Sequence, residues 1–299
     1  MSAKSTLFIS TAAAVLLLNG KAHATEGGGS VYPLGAENYT CCALPPAGVY
    51  GLVWGQHYSA DQVRNHQGQV VSSEAFKVDA KAIVPRIIWV TDQEFWGASV
   101  ALHAILPLVD LDVTVAPGVS DSKSGIGDLT LGAALGWHHS AKWHSLLALD
   151  LYAPTGAYDA DDIANIGRNH WAVQPVAGLS YIQPEGLNAD LKVMWTYNFE
   201  NDDTGYKGGH ELIMDYSLGW AVNERWTLGA GGYLYKQLTD DRQNGQTLND
   251  RKGQAVAFGP SIRYQGKDGW FLTAKYQVES QVENRADGEA FWLKAVFPL

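Results

Sequence analysis

The feature that most constrains this sequence is an alternation of apolar and polar residues that continues over long segments. In LNADLKVMWTYNFE, residues 187–200, every second position from Leu187 to Phe199 is apolar, and the positions between them are mostly polar or charged. Successive side chains of a β-strand point to opposite faces of the sheet, so this segment predicts a strand with one apolar and one polar face. Strands of soluble proteins usually have about 5 or 6 residues, which makes so long a strand typical of a membrane barrel.

The same two-residue period recurs through the rest of the chain and predicts about twelve strands. They lie near 48–58, 75–91, 97–112, 125–138, 142–153, 168–182, 187–199, 208–222, 225–238, 253–265, 269–280 and 288–299. Short connections lie near 92–96, 140–141, 184–186, 223–224 and 266–268. Long polar connections lie at 59–74, 113–124, 154–167, 200–207, 239–252 and 281–287. Short periplasmic turns and long external loops are typical of outer-membrane barrels. The predicted fold is therefore all-β, a transmembrane antiparallel up-and-down β-barrel that closes between its first and last strands.

Composition and charge agree with a barrel and exclude one class of partner. Charged residues make up 17% of the chain, below the roughly 25% of soluble domains, while aromatic residues reach 11%. The net charge of −10 argues against binding of nucleic acid, which requires a basic surface. The expected partners are outer-membrane lipid and lipopolysaccharide, a small hydrophobic solute, and the barrel-assembly machinery that inserts such proteins.

The first 24 residues predict a secretory signal peptide. Lys4 precedes an apolar stretch at 7–18, and the residues AHA at 22–24 have the small-residue pattern of a cleavage site near Ala24. The following segment is rich in Gly, Pro and Ala and has no period, so it lies either in the periplasm or in the barrel lumen. We expect the mature protein in the outer membrane of a Gram-negative bacterium. The chain divides into a signal peptide at 1–24, an irregular N-terminal segment at 25–46 and a barrel at 47–299.

Cys41 and Cys42, the only cysteines of the chain, stand in TCCALPPAGVYG just before the first predicted strand. Adjacent cysteines form a disulfide only through a strained ring, and two cysteines are too few for a structural zinc site. Pro45 and Pro46 lack the N–H that strand pairing needs. We interpret the stretch as the junction between the N-terminal segment and the first strand, and a vicinal disulfide stays open as an alternative.

Eleven charged residues in the predicted strands are expected on the inward face of the barrel. A Lys or Arg on the lipid face near the midplane would cost about 2–4 kcal/mol. The eleven candidates for lining the lumen are Lys77, Asp79, Lys81, Asp150, Asp190, Lys192, Glu211, Asp215, Lys275, Glu279 and Lys294. Mixed charges of this kind either line a selective pore or form a paired network that fills the lumen. The sequence leaves both interpretations open.

No convincing catalytic or metal-binding pattern accompanies these residues in the sequence, so we expect neither an enzyme nor a cofactor or metal. Three histidines at 138, 139 and 144 surround a short turn between two tryptophans, as at a membrane interface. The acidic stretch YDADD at 158–162 lacks the glycine and the final glutamate of a calcium-binding loop. Ser180 lacks the strand-to-helix turn that a nucleophile elbow needs.

Seven stretches of the chain, in this order and spacing, match the pattern of a bacterial family. They are ALPPAGVYG (43–51), VPRIIWVTD (84–92), GIGDLTLG (125–132), LYAPTGAYD (151–159), NIGRNHWAVQP (165–175), LGAGGYLYKQLTDD (228–241) and AFGPSIRY (257–264). In these stretches the chain resembles the transporter-like outer-membrane barrels of the meta-pathway phenol degradation family. The resemblance implies a barrel that passes hydrophobic or aromatic compounds, and it implies no catalytic residue.

Three functions are consistent with these observations. The favoured one is an outer-membrane channel or transporter for passive uptake of small hydrophobic or aromatic compounds, as the resemblance implies. The alternative is a non-conducting structural barrel whose inward charges only stiffen the fold. A lipid-modifying outer-membrane enzyme is the third and least favoured.

Overall fold

The alternating segments form β-strands in the computed structural model, which describes residues 29–299. The strands of the first half are β1 (Gly48–Arg64), β2 (Lys77–Phe95), β3 (Ala98–Ile105), β4 (Leu108–Ala116), β5 (Val119–Ile126), β6 (Leu129–His138), β7 (Trp143–Ala153) and β8 (Ala172–Tyr181). Those of the second half are β9 (Gly186–Asn198), β10 (Tyr206–Lys207), β11 (Glu211–Ala221), β12 (Trp226–Gln237), β13 (Asp241–Gln243), β14 (Gln246–Leu248), β15 (Gln254–Gln265), β16 (Phe271–Glu283) and β17 (Arg285–Pro298). Among the described residues, no helix is both long and apolar enough to span a membrane.

The strands pair in one large sheet that closes on itself. Fourteen of them form an antiparallel sheet, while β10, β13 and β14 form a small separate sheet in the long loops. Because β1 pairs with both β2 and β17, the large sheet closes into a barrel, and β5, which pairs only with β4, keeps one edge without a neighbouring strand. Closure satisfies the backbone hydrogen bonds that a hydrocarbon environment cannot.

The fourteen strands of the large sheet make a 12-stranded barrel, because two of its long strands are each interrupted and so count as two strands. β3 and β4 both pair with β2, the first along Arg86–Phe95 and the second along Lys77–Ile83. In the same way β6 pairs with β3, and β5 pairs with β4. The interruptions fall at 106–107 and 127–128, and Pro107 lacks the N–H that a ladder needs. The prediction of an antiparallel barrel of about twelve strands is confirmed.

Burial along the strands is the reverse of that in a soluble protein. Large apolar side chains such as Ile87, Trp89 and Leu218 are exposed on the outer surface of the barrel. Charged side chains such as Asp215 and Lys275 are buried on the inner surface. An apolar outer surface of this extent is stable in hydrocarbon and not in water, so the wall is built to cross a membrane.

Aromatic side chains gather on the outer surface near the short turns. Ring centroids lie 4.5 Å apart for Phe95 and Trp96 and 4.8 Å apart for Trp143 and Tyr181. The Trp226 and Tyr264 rings form a similar pair at 4.7 Å. Amphipathic rings favour the boundary between membrane and water, so this girdle marks one edge of the apolar band.

Two of the predicted long loops are wrong. Residues 113–124 lie mostly in β4 and β5, which are joined by a tight turn, and residues 281–287 lie in β16 and β17 around Asn284. Here the strands extend beyond the apolar band, so their outward side chains meet water and can be polar. Polarity predicted loops at these positions because it does not distinguish a loop from a solvated strand.

Residues 29–46 of the irregular N-terminal segment lie in the barrel lumen. Ser30 contacts Glu211 at the long-loop end of β11, and the backbone N–H of Cys41 contacts Asp190 nearer the short turns. Residues 29–47 therefore run down the inside of the barrel from the long loops toward the short turns, and β1 follows directly. We call residues 29–47 the plug. The signal peptide predicted at 1–24 lies outside the described residues.

Candidate functional site

Two charged residues of the wall hold the first half of the plug. The carboxylate of Asp215 on β11 accepts hydrogen bonds from the Tyr32 hydroxyl (2.6 Å) and from the backbone N–H groups of Gly35 (3.2 Å) and Glu37 (3.0 Å). On β16, Lys275 donates to the carbonyl oxygens of residues 35–37. One acid and one base thus satisfy plug backbone groups that would otherwise be buried without partners.

Glu37 is the centre of the charge pairing between plug and wall. Its carboxylate lies 3.3 Å from Arg86 Nη1, 3.2 Å from Lys294 Nζ and 4.0 Å from Lys192 Nζ. The three bases stand on β2, β17 and β9, and no side chain of the group is more than 16% exposed. Breaking such a buried network by removing one partner costs about 3–5 kcal/mol. We call Glu37 with these three bases the Glu37 latch.

The charged layer continues from the latch across the lumen. Arg86 Nη2 lies 2.7 Å from His103 Nδ1, and His103 Nε2 lies 3.1 Å from Asp150 Oδ1. All of these side chains are buried or nearly so. A solute that moves straight along the barrel axis would have to pass this layer.

A cavity of about 310 Å³ lies on the long-loop side of the latch, and we call it the outer cavity. Its walls are mostly apolar and aromatic, and they include Trp54, Val84, Ile105, Tyr152 and Trp292. The plug supplies another part of the lining. The volume is at the lower end of the range of about 300–1,000 Å³ that is typical of small-molecule sites.

A smaller cavity of about 140 Å³ lies on the short-turn side of the latch. Apolar side chains line it as well, among them Leu44, Leu52 and Leu146. Glu37 and Arg86 line both cavities. The charged layer therefore divides the lumen into two apolar spaces.

A third group of polar residues lies where the outer cavity meets the long loops. Glu279 accepts hydrogen bonds from Tyr58 Oη (3.0 Å), from Tyr233 Oη and from the Gly288 backbone N–H (2.7 Å). Arg285 Nη2 lies 3.6 Å from the same carboxylate, and its guanidinium lies 4.9 Å from the centre of the Tyr235 ring. The Glu279 carboxylate is thus fully satisfied, whereas the Arg285 guanidinium is held mainly by its charge and the ring.

The wall beside the outer cavity is closed by a tight contact between three chain segments. Asp128, at the interruption before β6, accepts hydrogen bonds from the backbone N–H groups of Gly156 (2.9 Å) and Arg168 (2.7 Å). A Cβ on Gly156 would lie 2.7 Å from Gly167 Cα and 2.8 Å from the carbonyl carbon of Gly127, so only glycine fits there. We call Asp128 with Gly127, Gly156, Gly167 and Arg168 the Asp128 clasp. It unites three of the family-like stretches, GIGDLTLG, LYAPTGAYD and NIGRNHWAVQP.

The loop at 154–168 takes the place of a neighbouring strand along β5. The backbone N–H of Ala157 bonds to the Ile126 carbonyl (3.2 Å), and Lys123 Nζ lies 2.7 Å from Asp162 Oδ2. The Ala164 N–H donates to Asp121 (2.9 Å), and this hydrogen bond lowers the pKa of the Asp121 carboxyl. At this level the wall depends on a loop and not on a continuous ladder.

The structure buries eight of the eleven charged residues expected on the inward face. They are Asp150, Asp190, Lys192, Glu211, Asp215, Lys275, Glu279 and Lys294. Six of the eight contact the plug, and Asp150 and Glu279 line the outer cavity. That any of them tunes the passage of a solute stays a prediction.

The other three residues face outward, so the expected orientation of Lys77, Asp79 and Lys81 is wrong. Lys81 Nζ lies 3.1 Å from Asp79 Oδ1, and the Lys81 side chain is 59% exposed. The intervening Ala80 and the following Ala82 line the outer cavity instead. This end of β2 extends beyond the apolar band, so outward charges there avoid the cost of facing hydrocarbon.

Two groups of residues, one at a short turn and one in the plug, have side chains of the types that bind metals or undergo redox chemistry. His138 Nδ1 and His144 Nδ1 lie 2.7 Å apart at the short turn. Residues 29–299 contain no group of three or more His, Cys, Asp or Glu side chains that could hold a metal ion. Cys41 and Cys42 are free thiols with Sγ atoms 2.8 Å apart, and the Cys42 N–H donates to Ser180 Oγ (3.1 Å). The cysteines thus anchor the lower plug.

Sequence reasoning missed Glu37 and Arg168. Glu37 lies in a segment without any period, where nothing in the sequence distinguishes a buried carboxylate from a solvated one. Arg168 stands in one of the family-like stretches, next to Gly167. The family-like stretch is the sequence feature from which the clasp could have been predicted.

Comparison with known proteins agrees with this architecture. The COG4313 outer membrane channel from Pseudomonas putida F1 is similar, with a TM-score of 0.79 and 22% identity, over 88% of this chain and 100% of that one. The translocator domain of the autotransporter NalP from Neisseria meningitidis has a TM-score of 0.50 and 11% identity, over 86% of this chain and 91% of that one. Both similarities show the barrel fold.

The family resemblance found in the sequence is confirmed. No curated protein matches the chain. The family model described as "Putative MetA-pathway of phenol degradation" matches residues 60–295, which is most of the chain. The chain therefore belongs to the family of the "Putative MetA-pathway of phenol degradation".

Proposed function

We propose that this protein is an outer-membrane channel for the passive uptake of small hydrophobic or aromatic compounds. The observation that carries the proposal is the outer cavity, a largely apolar space of about 310 Å³ inside a membrane-type barrel. The description of the family, which refers to the degradation of phenol, supports an aromatic solute.

The surroundings of the barrel follow from the same proposal. Residues 1–24 act as a signal peptide, and the barrel-assembly machinery inserts the mature chain into the outer membrane. The long loops then face outward. The outward-facing charges Lys77, Asp79 and Lys81 lie beyond the apolar band, at a level suited to lipopolysaccharide head groups.

The Glu37 latch makes a straight path along the barrel axis unfavourable. An apolar solute gains nothing from four charged side chains, and separating them would leave buried charges without partners. The plug therefore acts as a floor for the outer cavity.

A sideways route through the wall fits the structure better. Pro107, Gly127 and Ile166 line the outer cavity at the level where two strands are interrupted. On the outside of the barrel at this level, Leu108 and Ile126 are exposed apolar residues. We propose that solutes enter the outer cavity from the long-loop end and leave through the wall at the Asp128 clasp into hydrocarbon.

The test is uptake by intact Gram-negative cells that carry or lack the protein. Initial rates are measured for radiolabelled toluene and, as a matched hydrophilic solute, L-arabinose, each at limiting concentration. The protein is expected to raise the rate for toluene and to leave that for arabinose unchanged. Equal toluene uptake with and without folded protein would contradict the proposal.

The same experiment decides the alternative, a non-conducting structural barrel. The filled lumen favours this alternative, because the plug and the wall share many buried hydrogen bonds and ion pairs. A structural barrel would change neither uptake rate. We propose no catalytic activity, and unchanged lipid A and phospholipid profiles on overexpression are the expected result.

A further inference from the structure

Two basic side chains lie directly opposite each other on the outer surface near the long loops. Lys207 on β10 pairs with Arg242 on β13, and the hydrogen bond from the Leu238 N–H to the His210 carbonyl oxygen (2.7 Å) connects this pair to the ladder of β11 and β12. Asp241 is buried on the inner face, so the next residue, Arg242, faces outward and is exposed. Like charges directly opposite each other destabilise a sheet, so the pair requires an explanation.

Lys207 stands beside a cluster of aromatic rings on the outer surface. Its Nζ atom lies 2.8 Å from Tyr197 Oη and 4.4 Å from the centre of the Tyr197 ring. That ring lies 5.0 Å from the Phe199 ring and 4.8 Å from the His210 ring. Amphipathic rings favour the boundary between membrane and water. The two bases therefore lie at the level of the lipid head groups at the long-loop end of the barrel.

A groove of about 560 Å³ lies between the two bases and the wall, and we call it the basic groove. Tyr197, His210 and Leu238 line the part nearer the apolar band, and Leu238 is 45% exposed. Lys207 and Arg242 line the part nearer the loops. An apolar part below a basic part fits an amphiphile with an anionic head group.

The protein itself does not neutralise these two bases. Among residues 29–299, neither of them forms an ion pair, and Asp240, the carboxylate that also lines the groove, lies 3.9 Å from Lys252 Nζ. The outward-facing Lys81 on β2 differs, because its Nζ atom lies 3.1 Å from Asp79 Oδ1. Both charges of the basic groove are thus available to a ligand.

We propose that the basic groove binds a phosphate group of a glycolipid in the outer leaflet of the outer membrane, with Lys207 and Arg242 as the phosphate-binding residues. Lipid A, the membrane anchor of lipopolysaccharide, carries such phosphates. An anion between the two bases replaces their repulsion with two charge-assisted contacts. The inference rests on the proposed location in the outer membrane and goes beyond solute uptake, because it concerns the outside of the wall.

The position of the groove favours a lipid over a soluble phosphate. The groove opens on the outer surface beside the aromatic cluster and the exposed Leu238 side chain. Basic residues at this level attract the anionic head groups of the adjacent leaflet. The apolar part of the groove then contacts the first carbons of an acyl chain, which a free phosphate lacks.

The test measures lipid binding to the full chain by native mass spectrometry, after purification in detergent and removal of bound lipid. The probes are lipid A and the same lipid A after enzymatic removal of its phosphates, so that the acyl chains are identical. Lipid A is expected to bind at least about tenfold more tightly than its dephosphorylated form. Equal binding of the two lipids would overturn the inference.

Neutral variants locate the effect. K207Q and R242Q are each expected to weaken lipid A binding about two- to tenfold and to leave binding of the dephosphorylated lipid unchanged. The control is K267Q, which makes the same change of charge in an exposed short turn at the other end of the barrel. Equal weakening by all three variants, or unchanged binding in the double variant K207Q/R242Q, would contradict the assignment. Heat-modifiable migration on gels checks that each variant is folded.

The thermal stability of R242Q separates a binding role from a structural one. The variant removes the repulsion between the two bases, so without lipid it is expected to unfold at the temperature of the wild type or above. Lipid A should raise the unfolding temperature of the wild type, and that of R242Q by less. Equal stabilisation of both proteins by lipid A would overturn the assignment.

Two further conditions identify what the groove recognises. Lipid A binding in the presence of EDTA is expected to be unchanged, because the bases contact the phosphate directly. Loss of binding in EDTA would show that a divalent cation bridges Asp240 to the lipid. Inorganic phosphate in place of lipid A is expected to leave the unfolding temperature unchanged, and a shift as large as that with lipid A would show a site for a soluble anion. Either of these two results would overturn the inference.

The outcome is independent of the uptake experiment. If cells show no uptake while lipid A binds through its phosphates, the channel proposal fails and the lipid site stands. If uptake occurs but lipid A and its dephosphorylated form bind equally, only the present inference fails.

Discussion

Glu37 Oε2 and Lys294 Nζ lie 3.2 Å apart, and this contact joins the plug to the strand that closes the barrel. Lys294 Nζ also lies 3.3 Å from the Asn38 carbonyl oxygen. Because β17 pairs with β1, and β1 follows the plug in the chain, the contact ties both ends of the barrel sequence to the segment in the lumen. The position of the plug and the closure of the barrel are therefore linked.

Replacing Glu37 by Gln is expected to loosen the plug. The three bases of the latch lose their shared countercharge, which should destabilise the barrel by about 3 kcal/mol. Single-channel recordings should show a larger conductance than the wild type, and gel-shift unfolding should occur at a lower temperature. E224Q, in an exposed short turn, is the matched control. Wild-type conductance and stability in E37Q would show that the latch does not hold the plug.

Gly178 on β8 makes room for Cys42 of the plug. A Cβ at residue 178 would overlap Cys42 Sγ and lie 3.1 Å from the Leu191 carbonyl oxygen. G178A is therefore expected to destabilise the protein by about 1–3 kcal/mol, as overpacking of a core does. In the double variant with C42A, most of that loss should be recovered. Urea unfolding in detergent micelles measures the free energy of unfolding of the wild type, the two single variants and the double variant. If the losses of the two single variants simply add in the double variant, the two residues do not touch.

Replacing Asp128 by Ala is expected to release the loop at 154–168. The variant loses two hydrogen bonds from backbone N–H groups to a carboxylate, which together should speed opening of the loop at least about tenfold. Limited trypsin digestion, followed by mass spectrometry of cleavage after Arg168, measures this. D202A, in an exposed loop position, is the control. Equal cleavage of D128A and wild type would leave the clasp without a role in holding the loop.

The two faces of β2 can be distinguished by thiol labelling. In a background without Cys41 and Cys42, K81C should react with a membrane-impermeant maleimide on intact cells, because Lys81 is exposed on the outer surface. A80C should react at least about tenfold more slowly, because Ala80 lines the outer cavity, and burial protects groups until the structure opens. The reverse order would restore the inward orientation expected from the sequence.

The alternation predicted the barrel because lipid imposes one rule on every strand. Trp89 and Leu218 face outward and Asp215 faces inward for the same physical reason, and a two-residue period records it directly. The rule applies only to residues within the hydrocarbon layer of the membrane. Lys81 was therefore assigned to the wrong face, since it stands on a strand that continues into water.

The candidate site was only partly predictable. Lys192, Asp215 and Lys294 could be found because the strand period marks them as inward, but their partner Glu37 stands in a segment that has no period. Its role arises from three strands that meet around it in the fold. The Asp128 clasp was predictable only in part. Its glycines belong to the family-like stretches of the sequence, but their contact with one another depends on the two neighbouring strand interruptions in the wall.

A tethered plug provides the most direct test of the central claim, that aromatic solutes leave the outer cavity through the wall while the plug stays in place. Cys42 Cβ lies 3.4 Å from the position of a Cβ at residue 178, close to the roughly 3.5–4.5 Å between the Cβ atoms of a disulfide. The variant C41S/G178C should therefore lock the plug to β8 when oxidised and release it when reduced by dithiothreitol.

The decisive measurement is the initial rate of labelled phenol uptake by intact cells that express C41S/G178C, in the oxidised and the reduced state. Free-thiol titration confirms the state of the tether in each sample. Passage through the wall predicts the same rate in both states, above that of cells without the protein. A rate that falls to the level of those cells on oxidation, and recovers on reduction, would show that the plug must move and would contradict the account.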